Sequence, residues 1–120
     1  MSSEGSNSDS ATSTGVAPGE LQVVVSGAES AYEVRLLGEL DMSTASELRE
    51  RLIGLAGEGP AQVTVDLSQL AFVDSTGLSV LVAGLKQFRQ EGGDMALRSP
   101  TPATRRVLEI TGLTEVFAIS

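Results

Sequence analysis

Hydrophobic and polar positions change period several times along the chain, and each change predicts an element. From Leu21 the run Leu21-Gln22-Val23-Val24-Val25 reaches a turn at Gly27. Tyr32, Val34 and Leu36 then fall on one face, with Glu33 and Arg35 on the other. This alternation predicts two short strands paired antiparallel. After Gly38-Glu39-Leu40-Asp41 the period becomes helical: Ala45, Leu48, Leu52, Leu55 and Ala56 form a stripe opposite Glu47, Glu50, Arg51 and Glu58. Thr44 with Glu47 three residues on has the spacing of a capping box, and Gly57, Gly59 and Pro60 end the helix. Val63, Val65 and Leu67 alternate with Thr64 and Asp66 as a third strand, followed by a strand-like run to Val73.

A second helix is expected from Asp74-Ser75-Thr76-Gly77, because Leu78, Leu81, Val82, Leu85 and Phe88 recur at helical spacing, with Val80 and Ala83 widening the apolar face. Gly92-Gly93 stops it. Met95-Ala96-Leu97-Arg98 reads as a fourth strand, and Thr101-Pro102 as an N-cap with proline at the first helical position. The third helix carries Val107, Leu108 and Ile110 and closes at Gly112, leaving Val116-Phe117-Ala118-Ile119 as a last short strand. Strands alternating with helices require long crossovers, hence parallel pairing. The expected fold is a single α/β domain over residues 20–120, with a mostly parallel mixed sheet of about five strands and three or four helices. Residues 1–19, rich in Ser, Gly, Thr and Ala, read as a disordered leader that lacks the apolar surface to offset its ordering entropy.

Composition narrows the chemistry. The 120 residues include no Cys, His or Trp, which removes imidazole bases, thiolate nucleophiles, disulfides and the usual zinc, copper or haem ligand sets. No cofactor or metal is expected. Sixteen acidic against eight basic residues give a formal charge of −8. The arginines are dispersed, so direct nucleic-acid binding and attraction to an anionic membrane are both disfavoured. The longest apolar stretch, residues 77–85, is far shorter than the roughly 20 residues of a membrane span. The first 17 residues carry no Lys or Arg and no hydrophobic run, unlike a secretory signal. These features predict a cytoplasmic protein.

The one segment that stands apart is Val73-Asp74-Ser75-Thr76-Gly77-Leu78, where a strand enters a helix through a carboxylate, two hydroxyls and a glycine. One reading is a helix cap, worth about 1 kcal/mol. The other is a phosphate acceptor at Ser75, since a helix N-terminus offers unpaired N–H groups and partial positive charge to the new dianion. Asp74, and Asp41 if the strand ends converge, would then add like-charge repulsion. Gly77 allows close approach either of a partner backbone or of the helix to the sheet. A serine nucleophile lacks a base within reach, Lys86 lying nearly three turns away, and the flanking residues miss the nucleophile-elbow pattern. A carboxylate enzyme holding magnesium would need Asp41, Asp66 and Asp74 to meet.

These segments resemble the bacterial anti-sigma factor antagonists, whose domain is called STAS. The resemblance rests on Gly38-Glu39-Leu40-Asp41 with the following helix, Val65-Asp66-Leu67-Ser68, Phe72-Val73-Asp74-Ser75-Thr76-Gly77-Leu78, Gly92-Gly93 and Ile110-Thr111-Gly112-Leu113, in the family's order and spacing over about residues 21–119. It implies partner switching. The unphosphorylated protein binds an anti-sigma factor with serine kinase activity and frees a sigma factor; phosphorylation of Ser75, with Thr76 as second choice, releases it, and a phosphatase resets the cycle. Asp41, Asp74, Ser75, Thr76 and Gly77 are the implied partner-binding residues, none of them catalytic. The rival within the same fold is a STAS scaffold or accessory subunit of a stress-signalling assembly or transport system.

Overall fold

The computed structural model describes residues 16–120, so most of the expected leader lies outside the described residues. The chain runs β1 (Leu21–Ala28), β2 (Ala31–Leu40), α1 (Ala45–Ala56), β3 (Gln62–Val73), α2 (Ser75–Gln90), β4 (Asp94–Arg98) and α3 (Pro102–Ile110), then a 3-10 turn at Leu113–Glu115. The sheet has the order β1-β2-β3-β4. β1 pairs antiparallel with β2, and the two helical crossovers make β2–β3 and β3–β4 parallel. The α/β class and the mixed, mostly parallel sheet are as the hydrophobic pattern requires.

Three local features differ from the sequence expectation. The fifth strand shrinks to a single parallel bridge, Ile119 to Leu97. Val116 caps the 3-10 turn and Phe117 is buried in the core, which leaves only residues 118–120 to exchange backbone bonds with β4 and Ser99. The capping box is not made either. Thr44 is the N-cap of α1, but its hydroxyl donates to the carbonyl of Glu39 at 2.8 Å instead of accepting from the helix. Third, β3 continues through residues 68–73 as one strand of 12 residues, with two register shifts against β2. Each shift sets one extra β3 residue into the ladder: Arg35 pairs with Asp66 but Leu37 with Gln69, and Gly38 pairs with Leu70 but Glu39 with Phe72. That is why its buried positions change from every second residue (Val63, Val65, Leu67) to every third (Leu70, Val73).

The core joins both sides of these elements. Val34, Leu36 and Leu40 of β2, Val65, Leu67 and Leu70 of β3, Leu48 of α1, Leu81, Leu85 and Phe88 of α2, and Leu108 of α3 belong to one buried cluster. α2 packs closely on its neighbours because Gly84 faces the Leu52 side chain, where an added Cβ would come within 2.8 Å. α3 is stopped and started as expected: Thr101 accepts from the Thr104 N–H and Pro102 opens the helix. Residues 17–20 form a turn against the end of β2, with the Gly19 N–H donating to the Glu39 carboxylate and the Glu39 N–H to the Glu20 carbonyl. Gly38, at φ 107, leaves room there for Glu20 and Val16.

At the opposite end of the sheet the Tyr32 hydroxyl donates to the Glu58 carboxylate at 3.0 Å. That hydrogen bond, then loss of hydration, then the negative charge of Glu58 raise the phenol above its ordinary 10.0. A proton held more tightly in the folded state contributes stability that is full below pH 10 and disappears as pH rises through the raised value. Tyr32 is the only tyrosine and there is no tryptophan, so phenolate absorbance reports this group alone. An alkaline titration should give a midpoint above 10.0 that moves back toward it in Glu58→Gln.

Candidate functional site

The paired ends of β2 and β3 build the site. Leu40 pairs with Val73, so the residues that follow, Asp41 and Asp74, leave the sheet on adjacent loops, and the Asp74 N–H donates back to the Leu40 carbonyl at 3.1 Å. The strand ends therefore converge, the condition set for Asp41 to lie on the same side as Ser75. Asp74 is the N-cap of α2. One of its carboxylate oxygens accepts from the Gly77 N–H at 2.9 Å, and the other from the Met42 N–H at 3.2 Å. A single side chain thus closes the first turn of α2 and ties it to the loop before α1.

Asp41 is spent within its own loop. Its Oδ1 accepts from the N–H groups of Ser43 and Thr44 at 2.9 and 3.2 Å, and its own N–H donates to the Thr44 hydroxyl at 3.0 Å. With Thr44 Oγ1 donating to Glu39, this network fixes the exit from β2. Asp66 does not join. It lies eight residues before Asp74, two of them the extra bulge residues, so about six strand rises or roughly 20 Å away, where its carboxylate pairs with Arg98 at 3.0 Å and accepts from the Ser68 N–H. Glu33 completes that ion pair from β2. The magnesium-holding triad of Asp41, Asp66 and Asp74 is therefore not assembled. No group of three acidic, His or Cys side chains is placed to hold a metal among the described residues.

Because Asp74 takes the cap, Ser75 is free of it. Ser75 is the first residue of α2 and exposed. Its carbonyl accepts from the Ser79 hydroxyl at 2.9 Å, but its own hydroxyl has no hydrogen-bond partner among the described residues. Thr76 beside it is also exposed. Gly77, in contrast, is buried: a Cβ there would lie 2.6 Å from Leu40 Cγ, 2.9 Å from the Leu40 carbonyl oxygen and 3.0 Å from Val73 Cγ2. Of the two roles open to Gly77, the geometry is that of seating α2 on the strand ends.

Two features escaped the sequence reading. Met42 lies in a turn outside any hydrophobic period, and its side chain is 79% exposed although its backbone is tied to Asp74. A large apolar residue in a polar turn was the available signal. The second is a groove of about 500 Å³ that starts at Ser75 and follows α2 past Val82 to Lys86, with Thr111 and Leu113 as its far wall. The spacing Ser75, Ser79, Val82, Lys86 places these residues on one helical stripe, but their wall comes from a distant part of the chain.

Comparison with known proteins agrees with this fold. The sequence pattern of the STAS domain matches residues 22–120. The chain belongs to the STAS family. The anti-sigma-B factor antagonist of Bacillus subtilis (strain 168) is 35% identical over 100 residues, 83% of this chain and 91% of that protein. A crystal structure of an anti-sigma factor antagonist from Mycobacterium paratuberculosis superposes with a TM-score of 0.77 at 31% identity, covering 86% of this chain and 87% of the other. The Bacillus cell fate determinant SpoIIAA in its phosphorylated form shares the fold, with a TM-score of 0.65 at 22% identity over 83% of this chain and 90% of that one. Within the STAS family, the chain groups with the anti-sigma factor antagonists.

The packing gives two stability expectations. Gly77→Ala gains at most about 1 kcal/mol of helix propensity but forces a methyl against Leu40, an overpacking cost of about 1–3 kcal/mol. Its denaturant midpoint should fall. Asp74→Ala loses a cap worth roughly 0.5–2 kcal/mol and also frees the Met42 amide. Amide exchange at Gly77 and at Met42 should accelerate together in that variant. Acceleration at Gly77 alone would show that the loop before α1 does not depend on Asp74.

Proposed function

We propose that this protein is a phosphorylation-controlled antagonist whose unphosphorylated form binds an anti-sigma factor with serine kinase activity, freeing a sigma factor, and whose phosphorylation at Ser75 ends that binding. A phosphatase returns it to the binding form. The observation that carries the reading is the unshared Ser75 hydroxyl on the first turn of a 16-residue helix whose cap is supplied by its neighbour Asp74. An acceptor already engaged as the cap would have to give up that bond to be modified; Ser75 gives up nothing. The relatives named as anti-sigma factor antagonists support the partner class, and a protein of this fold is known in a phosphorylated form.

The physical consequence of the modification is local. A phosphate adds about −1.5 to −2 charge to a helix N-terminus whose unpaired N–H groups and dipole favour an anion, so the domain stays folded. At an interface the same charge sits beside the Asp74 carboxylate, and a like-charge juxtaposition there costs several kcal/mol of binding. Thr76, one residue further on, is the alternative acceptor. Asp74 and Asp41 contribute by fixing the two loops on either side of the hydroxyl, and Gly77 by seating the helix beneath it. The chain is then a substrate and a binding partner in the cytoplasm, not an enzyme, with residues 20–120 as the working domain.

The test is a capture experiment with Ser75→Ala and Ser75→Asp side by side, the bound proteins being identified by mass spectrometry. Ser75→Ala should retain an anti-sigma factor and Ser75→Asp should lose it. Incubation of that factor and ATP with the parent chain should add one phosphate, absent in Ser75→Ala. Equal retention by both variants, or continued labelling of Ser75→Ala, would overturn the reading.

A further inference from the structure

The turn between β2 and α1 carries a side chain that the fold does not use. Met42 is 79% exposed, more than any other large apolar residue described. Its exposure is built into the backbone, which is held on both sides: the Met42 N–H donates to Asp74 at 3.2 Å, and the Ser43 and Thr44 N–H groups both donate to Asp41. The bond to Asp74 also ties Met42 to the residue that immediately precedes Ser75. Ile110, the next most exposed at 73%, has no such tie and lies at the far end of α3. Chemistry sets Met42 apart as well. The chain has no cysteine, and of its three methionines Met95 is buried and Met1 lies outside the described residues. Among the described residues, the Met42 thioether is therefore the one sulfur open to an oxidant in solution.

We propose that Met42 is a reversible oxidation site and that its oxidation by a peroxide is a second input to the switch, acting by removing an apolar contact to the anti-sigma factor. The effect on binding rests on the reading of the protein as an antagonist; the oxidation itself does not. In the chemical step Sδ attacks one oxygen of hydrogen peroxide, an S–O bond forms as the O–O bond breaks, and sulfur is oxidised by two electrons. The hydroxide released takes the proton of the transferred oxygen and leaves as water. A flexible apolar arm thereby becomes a polar, chiral sulfoxide. On a turn already fixed by Asp41 and Asp74, the thioether meets an apolar partner surface without any ordering of the backbone. The sulfoxide brings a hydrogen-bond acceptor to the same surface, where nothing answers it. The domain itself stays folded, because Met42 belongs to no part of the core. A methionine sulfoxide reductase drawing on a dithiol restores the thioether, the oxygen leaving as water and the dithiol closing to a disulfide.

The test begins with the purified chain and hydrogen peroxide, which is removed before any binding measurement. Peptide mapping by mass spectrometry should find one oxygen added to Met42 at least about tenfold faster than to Met95. The affinity of the anti-sigma factor captured with Ser75→Ala is then measured for the parent chain, the oxidised parent, Met42→Gln, and Met42→Leu before and after peroxide, with thermal melts verifying that each is folded. The oxidised parent and Met42→Gln should bind about tenfold more weakly than the parent. Met42→Leu, treated or untreated, should bind about as the parent does, and the reductase should restore the oxidised chain. Comparable oxidation rates at Met42 and Met95 overturn the site. The contact is overturned if the oxidised parent or Met42→Gln binds within about twofold of the parent, or if treated Met42→Leu weakens as much as the oxidised parent. Each of these outcomes leaves the switch reading intact so long as Ser75→Ala and Ser75→Asp still differ. If Ser75→Ala captures no such factor, the switch reading and the contact fall together, and the oxidation rates still decide the site.

Discussion

The closeness of α2 to the ends of β2 and β3 governs the rest of the site. Gly77 has no side chain because Leu40 and Val73 occupy the space where one would be. Only with the helix seated there can the Asp74 carboxylate reach both the Gly77 amide and the Met42 amide. Exposure of Ser75 follows from the same seating. The residue that would otherwise compete for the cap is pushed one position forward onto the helix, where its hydroxyl faces solvent. Burying the helix, capping it and leaving a serine hydroxyl exposed are three consequences of one contact between a glycine and two strand ends.

The seating depends in turn on the irregularity of β3. Two extra residues in β3 relative to β2 let its last buried positions, Leu70 and Val73, arrive in step with the end of β2. With strict alternation after Leu67, positions 69, 71 and 73 would share one face, and the exposed polar Gln69 would have to be buried in place of Leu70. The bulges thus reconcile a sequence of period three with a parallel ladder. They also increase local twist at the end of the sheet that carries the site, where bulges commonly redirect a chain.

Much of this was legible in the amino-acid sequence, and the exceptions share a cause. The helices were readable because apolar stripes such as Leu78, Leu81, Leu85 and Phe88 are local and periodic, and Thr101-Pro102 fixes a helix start by short-range chemistry. Thr44 misled because its spacing to Glu47 is right for a capping box, while a carbonyl five residues earlier, at Glu39, is the better partner once β2 ends there. The strand at Val116–Ile119 misled because a run of apolar residues does not reveal that Phe117 goes into the core. Whether Asp66 meets Asp41 and Asp74 is decided by strand pairing, which sets it opposite Arg98. In each case the deciding partner is distant in sequence or outside the pattern being read.

The groove wall at Thr111 and Leu113 is the strongest example of such a distant partner, set against α2 from 25 residues beyond Lys86. Under the proposed switch, a phosphate on Ser75 would act at the edge of a partner surface, where desolvation makes repulsion costly, while the helix N-terminus would absorb it within the folded domain. Charge placed there would weaken a complex without weakening the fold.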